Sequence, residues 1–433
     1  MLSGPKRFTF ALCLLMTPVL AAGQDHQHPA PSPGDHAGHE TAGAHGSFEP
    51  HEASGTSWVP DTTPMAGPHL RAGGWDMMLH GTAYLQYLEE VAPIHRGAHQ
   101  FGSINWFMAI ARRPLGGGHV GARTMISIEP WTISGCGYPD LLATGELCDG
   151  DGLHDRQHPH DLFMEVAAEY AHPLKPGMAW HVYGGPAGEP ALGPPAFPHR
   201  RSAMPNPVAP IAHHWLDSTH ITFGVVTAGV SGARWRAEAS AFNGREPDEA
   251  RHGFDLAPLD SVAARLTLRP RATLALQLSA GRLESAEQEF ASGPHYDITR
   301  MTASAAYEGR AWAGRTLAAM LAWGSNLERG QRTHAALLEG SLWLTARDVV
   351  FARGEINGKP SHALHIHEQP NAILTVGKIQ GGYTRFLSPH DHLQLGVGGA
   401  LSAALVPPSI RPQYGGIGTG VAVFAVVRPS PSP

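Results

Sequence analysis

The chain has 433 residues, only 16% of them charged, with 51 Gly, 37 Pro and 28 His and a formal net charge of −6 when His is neutral. Three cysteines exclude a disulfide scaffold, the Gly and Pro content excludes a coiled coil, and beyond the N-terminus no apolar run approaches the roughly 18 residues of a spanning helix. The lack of any basic excess argues against nucleic acid as a partner, which leaves a Gly-rich β protein.

Lys6 and Arg7 precede an apolar run from Phe8 to Leu20, and Ala21-Ala22-Gly23 supplies small residues where a signal peptidase reads. Residues 1–23 are therefore expected to be a Sec-type signal peptide. Residues 24–71 hold many His, Gly, Pro and Ser and few apolar side chains, so this stretch is expected to be a disordered His-rich tail. The two remaining cysteines, Cys136 and Cys148, share a Gly-rich acidic segment. In an exported chain a short-loop disulfide between them is favoured over two free thiols.

From residue 72 to 428 the hydrophobic pattern has period two. Trp75, Met77, Leu79, Ala83, Leu85 and Tyr87 alternate with Asp76, His80, Thr82 and Gln86; Met164, Val166, Ala168 and Tyr170 alternate with Glu165 and Glu169. Val262, Ala264, Leu266 and Leu268 oppose Ser261, Ala263, Arg265 and Thr267, and Leu274, Leu276 and Leu278 oppose Ala275, Gln277 and Ser279. Such strands fit a soluble barrel with the apolar face inward, or an outer-membrane barrel with that face toward lipid and a wet lumen. The segments have the length of tilted spanning strands. Their polar faces carry Arg123, Glu129, Glu165, Glu169, Arg236, Glu238, Arg265, Arg353 and Glu355, which a lumen can hold. Short connections (near 113–116, 172–176, 230–232, 269–271, 309–311, 346–348 and 388–390) alternate with long ones (90–102, 134–160, 184–219, 244–257, 284–296, 326–333, 358–371 and 406–413). The expectation is an all-β antiparallel transmembrane barrel of about 16 strands, both termini on the short-turn side, followed by a Pro/Ser tail at 429–433. Aromatics near strand ends, such as Trp75, Tyr87, Trp106, Trp131, Trp235, Trp323 and Tyr383, suit interfacial girdles.

On these features the chain resembles bacterial outer-membrane β-barrels as a class. The stretches Asp155-Arg156-Gln157-His158-Pro159-His160-Asp161 and His213-His214-Trp215-Leu216-Asp217-Ser218-Thr219-His220 resemble a group of uncharacterised proteobacterial barrel proteins. The His-rich tail is similar to that of copper-resistance outer-membrane proteins. The resemblance implies a Gram-negative outer membrane, with its lipid and its barrel-assembly machinery as partners. One departure stands out: such barrels usually end on an aromatic residue, whereas here Phe424 is the last aromatic and Arg428 is followed by Pro and Ser.

Three groups of residues offer metal chemistry. The tail carries His26, His28, His36 and His39 among acidic neighbours, at spacings that suit weak, multiple binding. A second group is His154, His158 and His160 from one long loop with His213 and His214 from the next, accompanied by His199, Arg200, Arg201, Asp217 and His220. If both loops fold over the barrel mouth, their imidazoles and carboxylates converge. A third is His362, His365 and His367, the last two expected to share a strand face. No cofactor is required by any motif; bound Cu or Zn is the expected ligand. Asp217-Ser218-Thr219-His220 contains the residue types of a lipid-active hydrolase, but no motif assigns them roles. The functional expectation is a pore or transport barrel handling a transition metal. The alternatives are a blocked, non-conducting metal-binding or structural barrel and, more remotely, an enzyme acting on lipid.

Overall fold

In a strand whose side chains alternate apolar and polar, only pairing on both edges satisfies the backbone without burying one face wrongly. The computed structural model, which describes residues 53–64, 67–93, 96–390 and 392–430, meets this by closing the sheet on itself. Its strands are β1 (His69–Ala72), β2 (Trp75–Val91), β3 (Ala98–Leu115), β4 (Gly118–Ile126), β5 (Tyr138–Cys148), β6 (Asp151–Gln157), β7 (Phe163–Lys175), β8 (Met178–Ala187), β9 (Val225–Gly232), β10 (Trp235–Phe242), β11 (Ser261–Arg271), β12 (Leu274–Gln288), β13 (His295–Arg310), β14 (Thr316–Glu328), β15 (Gln331–Trp343), β16 (Asp348–Pro360), β17 (Ile373–Phe386), β18 (Leu393–Leu405) and β19 (Ile417–Pro429). All pairings are antiparallel, and β2, β3, β4 and β7 to β19 form a closed barrel of 16 strands, sealed where Thr419–Val427 of β19 pairs with Val91–Ala83 of β2. β1 is a short extra strand on the first residues of β2, and β5 with β6 is a separate hairpin inside the β4–β7 loop.

The facing follows the sequence pattern. Leu79, Leu85, Val262, Leu266 and Leu278 are exposed on the outside, while Gln86, Arg265, Thr267, Gln277 and Ser279 are buried within. An outer surface so rich in Leu, Ile and Val is a lipid-facing one. Connections alternate short and long, and both chain ends of the barrel lie on the short-turn side, because Asp76 of β2 pairs with Arg112 near the β3–β4 turn and Pro429 pairs with Leu393.

Five expectations need correction. Met164 does not face lipid: the register shifts between Met125 and Ile126 opposite β7, so Met164 is an extra residue and packs inward beside Met125. Trp106 points inward too and is buried, so it belongs to no girdle. The long loop expected at 326–333 is the two-residue turn Arg329-Gly330, both at positive φ, because β14 and β15 stay paired up to Glu328 and Gln331. Glu129 is not on a wall strand; it starts the short helix α1 (Glu129–Thr132) in the β4–β7 loop and is fully buried there. Finally, the stretch expected to be disordered to residue 71 is ordered from residue 53: residues 53–60 are buried inside the barrel. Trp58 and Val59 supply the apolar area, and strand arginines take up the polar backbone of this segment. The expected signal peptide and the remaining tail, with His26, His28, His36 and His39, lie outside the described residues.

Leu278 stands at mid-strand on the lipid face. Leu278→Arg is expected to cost about 2–4 kcal/mol of barrel stability and Leu278→Phe less than about 1 kcal/mol, read from denaturant unfolding in lipid vesicles.

Candidate metal centre in the lumen plug

A barrel of this strand number leaves a channel unless something fills it. Here two segments do. The first is residues 53–64, held by a row of wall arginines. Arg123 donates to the Ala53 carbonyl at 2.6 Å, Arg236 to the Thr56 carbonyl at 2.9 Å, and Arg265 to the Thr56 hydroxyl at 2.9 Å. Arg236 and Arg269 both stack on the Trp58 ring, and Arg269 also pairs with Asp61. The second is the β8–β9 loop, residues 188–224, buried along almost its whole length.

The wall residues named from sequence grip this second segment or one another. Arg200 of the loop pairs with Asp217 at 2.5 Å and with Glu339 of β15 at 2.8 Å. Arg353 pairs with Glu339 at 3.1 Å and donates to the Val208 carbonyl, while the Glu355 carboxylate accepts the Ala212 N–H at 2.9 Å. Arg123 pairs with Glu165, Arg265 with Glu238, and Arg112 with Glu169. The lumen is therefore an ion-paired interior and not a charged aqueous surface. A cavity of 440 Å³ remains on the short-turn side of the loop, lined by His80, Trp106, His199, Arg201 and Arg428 among others.

On the long-loop side the plug carries a cluster of imidazoles. His213 and His214 open the short helix α2 (His213–Leu216), and His158 reaches them from the β6–β7 connection. One ring nitrogen each of His158, His213 and His214 lies within 4.8 Å of the other two, and all three residues are buried. His213 Nδ1 donates to Asp217 Oδ1 at 2.9 Å, His158 Nδ1 to the Pro159 carbonyl at 3.3 Å, and His214 Nδ1 lies 2.8 Å from Glu246 Oε1. Among the described residues their Nε2 atoms make no aligned hydrogen bond, although His158 Nε2 lies 3.3 Å from Glu146 Oε1. A ring whose Nδ1–H is held by an oxygen presents its Nε2 lone pair, the usual orientation of a metal-binding imidazole. Burial holds His213 down to about 4 and His214 to about 3, and pushes His158 well below 6.5, so the rings are neutral near pH 7. For Asp217, burial alone favours the acid, but the Arg200 guanidinium and the His213 hydrogen bond hold it below the usual carboxylate range.

His160 and His220 border this cluster. The His160 ring donates to Glu129 Oε1 at 2.8 Å and packs edge-on against His220, whose Nδ1 donates to the Asp217 carbonyl. His154 is not part of it: its Nδ1 lies 2.9 Å from Asp155 Oδ2, and its ring packs on His365 at 4.3 Å. His365 and His367 do not share a strand face, because residues 361–372 form a loop in which His362–Leu364 is a 3-10 turn and His365 has a φ of 50°. His362 lies 3.9 Å from Glu328. Cys136 and Cys148 are joined in a disulfide beside the β5–β6 hairpin. Asp217, Ser218 and His220 form no nucleophile–base pair: the Ser218 hydroxyl accepts from Arg300, and His220 Nδ1 is engaged by backbone.

Several participants were invisible in the sequence. Gly145 has φ +120°, and a Cβ there would lie 2.1–2.5 Å from ring atoms of His214, so the close approach of the hairpin to that ring requires glycine. Glu146 of β5, Glu246 of the β10–β11 loop and Glu287 near the end of β12 gather around His158 and His214. No spacing rule links them.

No protein-family model matches this chain, and no curated protein does. Among solved structures it is similar to the anion-selective porin from Comamonas acidovorans (12% identity, 82% of this chain and 99% of that one, TM-score 0.47). It is also similar to OmpF of Salmonella typhi in complex with daunomycin (9%, 83% and 100%, 0.49) and to the outer-membrane channel DcaP of Acinetobacter baumannii (11%, 84% and 100%, 0.46).

The filled lumen predicts little steady conductance. In planar bilayers, the intact protein is expected to conduct at least about tenfold less than a variant lacking residues 196–210, since an unfilled barrel of this size is an aqueous channel.

Proposed function

We propose that this protein is a Gram-negative outer-membrane barrel that handles a divalent transition ion such as Cu(II) or Zn(II), held as cargo by His158, His213 and His214 inside the plug. The observation that carries the reading is the meeting of these three buried imidazoles, from two separate loops, with the Nε2 atoms of His213 and His214 making no hydrogen bond among the described residues. Neutral imidazole suits Cu, Zn and Ni, and three nitrogens leave a position for water or a further ligand. Asp217 and Glu246 are the partners that would fix the His213 and His214 rings. The aromatic and ion-paired surroundings exclude anions and bulk water from the same space.

Transport of the ion, as opposed to free diffusion through an open pore, is the reading the plug favours, since the buried loop 188–224 fills the lumen and carries His213 and His214. The blocked, non-conducting metal-binding barrel is supported by the same plug, whose wall contacts are numerous and buried. Vesicles carrying the protein and an enclosed metal-sensitive dye distinguish the two. Transport expects a signal that is lost in His213→Ala; a blocked binder gives none in either protein.

For binding itself, calorimetry on protein lacking residues 24–52 removes the competing tail imidazoles. Changing His158, His213 and His214 together to Ala is expected to weaken Zn(II) or Cu(II) at least about tenfold, about 1.4 kcal/mol. Gly145→Ala, whose added Cβ would fall 2.1–2.5 Å from His214 ring atoms including both nitrogens, is expected to weaken it as well by displacing His214. Binding indifferent to all four changes would overturn the reading. Protons compete with metal only below the ligands' own pKa values. With His213 near 4 and His214 near 3, affinity is expected to hold between pH 7.5 and 5.5, where freely solvated histidines, at about 6.5, would already lose it.

A further inference from the structure

Beside the imidazole cluster, toward the long loops, lies a cavity of 60 Å³. Five glutamates line it (Glu146, Glu246, Glu287, Glu289 and Glu328), together with three histidines, and among the described residues no lysine or arginine does. The volume is enough for a cation with part of its water shell. His214 forms its inner wall: the residue is buried, and both ring nitrogens lack a properly aligned hydrogen bond. Its Nδ1 is 2.8 Å from Glu246 Oε1 and 4.0 Å from Glu287 Oε1, and the three side chains place ligand atoms within 4.8 Å of one another. Glu246 is fixed in this pose because its other oxygen accepts the Glu146 N–H at 2.9 Å.

We propose that Glu246, Glu287 and the Nδ1 of His214 form a second cation station, which takes an oxygen-preferring divalent ion and stands immediately outside the three-imidazole position. Two carboxylates and one imidazole, with room for water, are the ligand set that Mn(II) prefers, whereas three imidazoles favour Zn(II) or Cu(II). The two stations share His214. A neutral imidazole has one lone-pair nitrogen, so the ring serves the carboxylate station through Nδ1 or the imidazole station through Nε2, but not both at once. An ion arriving from outside meets carboxylates that draw it in, then exchanges them for imidazoles as the ring changes tautomer. Only this hand-over rests on the function proposed above; the carboxylate station stands on its own cavity.

The test is titration of the full-length mature protein with Mn(II), reading the loss of the free-ion EPR signal, with barrel closure of each variant checked by heat-modifiable electrophoretic mobility. One Mn(II) per barrel is expected. The double change Glu246→Gln and Glu287→Gln should weaken it at least about tenfold, whereas Glu289→Gln, in the same cavity but paired with Arg329, should leave it within about twofold. If the double variant does not close, Glu287→Gln alone, at a strand end, is expected to weaken binding about threefold. His158→Ala with His213→Ala should leave Mn(II) within about twofold, and saturating Zn(II) should expel Mn(II) through the shared His214. Mn(II) binding that does not saturate, or that ignores the glutamate changes, overturns the station. Failure of the imidazole position is separately visible, as Zn(II) affinity indifferent to His158→Ala and His213→Ala while Mn(II) still follows the glutamates.

Discussion

A closed sheet of sixteen strands encloses more space than its own inward side chains can fill, and the organisation of this protein depends on how that space is occupied. Water could fill it, and the polar inner faces would then be solvated. Instead the chain fills it with residues 53–64 and 188–224, and every wall charge so covered must find a partner, because an unpaired ion taken out of water costs several kcal/mol. The pairs Arg123–Glu165, Arg265–Glu238 and Arg353–Glu339, and the triple of Lys378 with Glu90 and Asp140, meet that demand. Such pairs add little net stability over apolar packing, but they are specific. Each of these arginines has donors left over after its carboxylate, and those donors reach the plug, at the Ala53 and Val208 carbonyls and the Thr56 hydroxyl. The wall thereby dictates where the plug backbone runs.

That constraint shapes the imidazole cluster. His213 is oriented by Asp217, and Asp217 is held ionised by Arg200, which is itself anchored on Glu339 of the wall. A chain of four charged or polar groups thus runs from a barrel strand to the His213 ring in the cluster. The outer edge is built differently. There His214 leans on Glu246 and against Gly145, both from other loops, with Arg300 and Lys359 behind them holding Ser218 and the Ile211 carbonyl. One ring is held through the wall and the other by packing between loops, so the cluster joins a wall-anchored and a loop-anchored part of the plug.

The barrel was legible because lipid-facing alternation leaves a mark every second residue: Val262 to Leu268 and Leu274 to Leu278 face as their pattern requires. Loop lengths revealed the two ends of the barrel, and the concentration of His in 154–160 and 213–220 marked two loops whose rings meet in the structure. What failed was whatever depends on a partner distant in sequence. Met164 alternates correctly in its own strand, but a bulge against β4 turns it inward. Residues 53–60 look like more of the tail because the arginines that hold them come from β4, β10 and β11. His154 looks equivalent to His158 and His160, yet the hairpin twist sends it to His365. Glu246 and Glu287 carry no local signal, since a carboxylate at a loop or strand end is ordinarily a solvated one.

The location of the imidazoles in the plug, and not on the wall, has an energetic consequence on the proposed reading. His158 comes from one loop and His213 with His214 from another, so an ion bound by all three binds only when both loops are docked. Any ligand that binds one arrangement and not its alternative stabilises that arrangement in proportion to its occupancy. Metal bound at the imidazoles therefore favours the filled lumen, and the barrel is most firmly closed when loaded. Release inward then cannot occur by the loops opening around a bound ion at no cost; the ion has first to lose a ligand. Of the three, His214 is the one free to be lost. His213 is tied through Asp217 and Arg200 to the wall, and His158 lies between Pro159 and Glu146, while the ring of His214 rests on Gly145 of the β5–β6 hairpin and Glu246 of the β10–β11 loop. The step that admits the ion and the step that lets it leave thus fall on the same side chain, at the border between the wall-anchored and the loop-anchored halves of the plug.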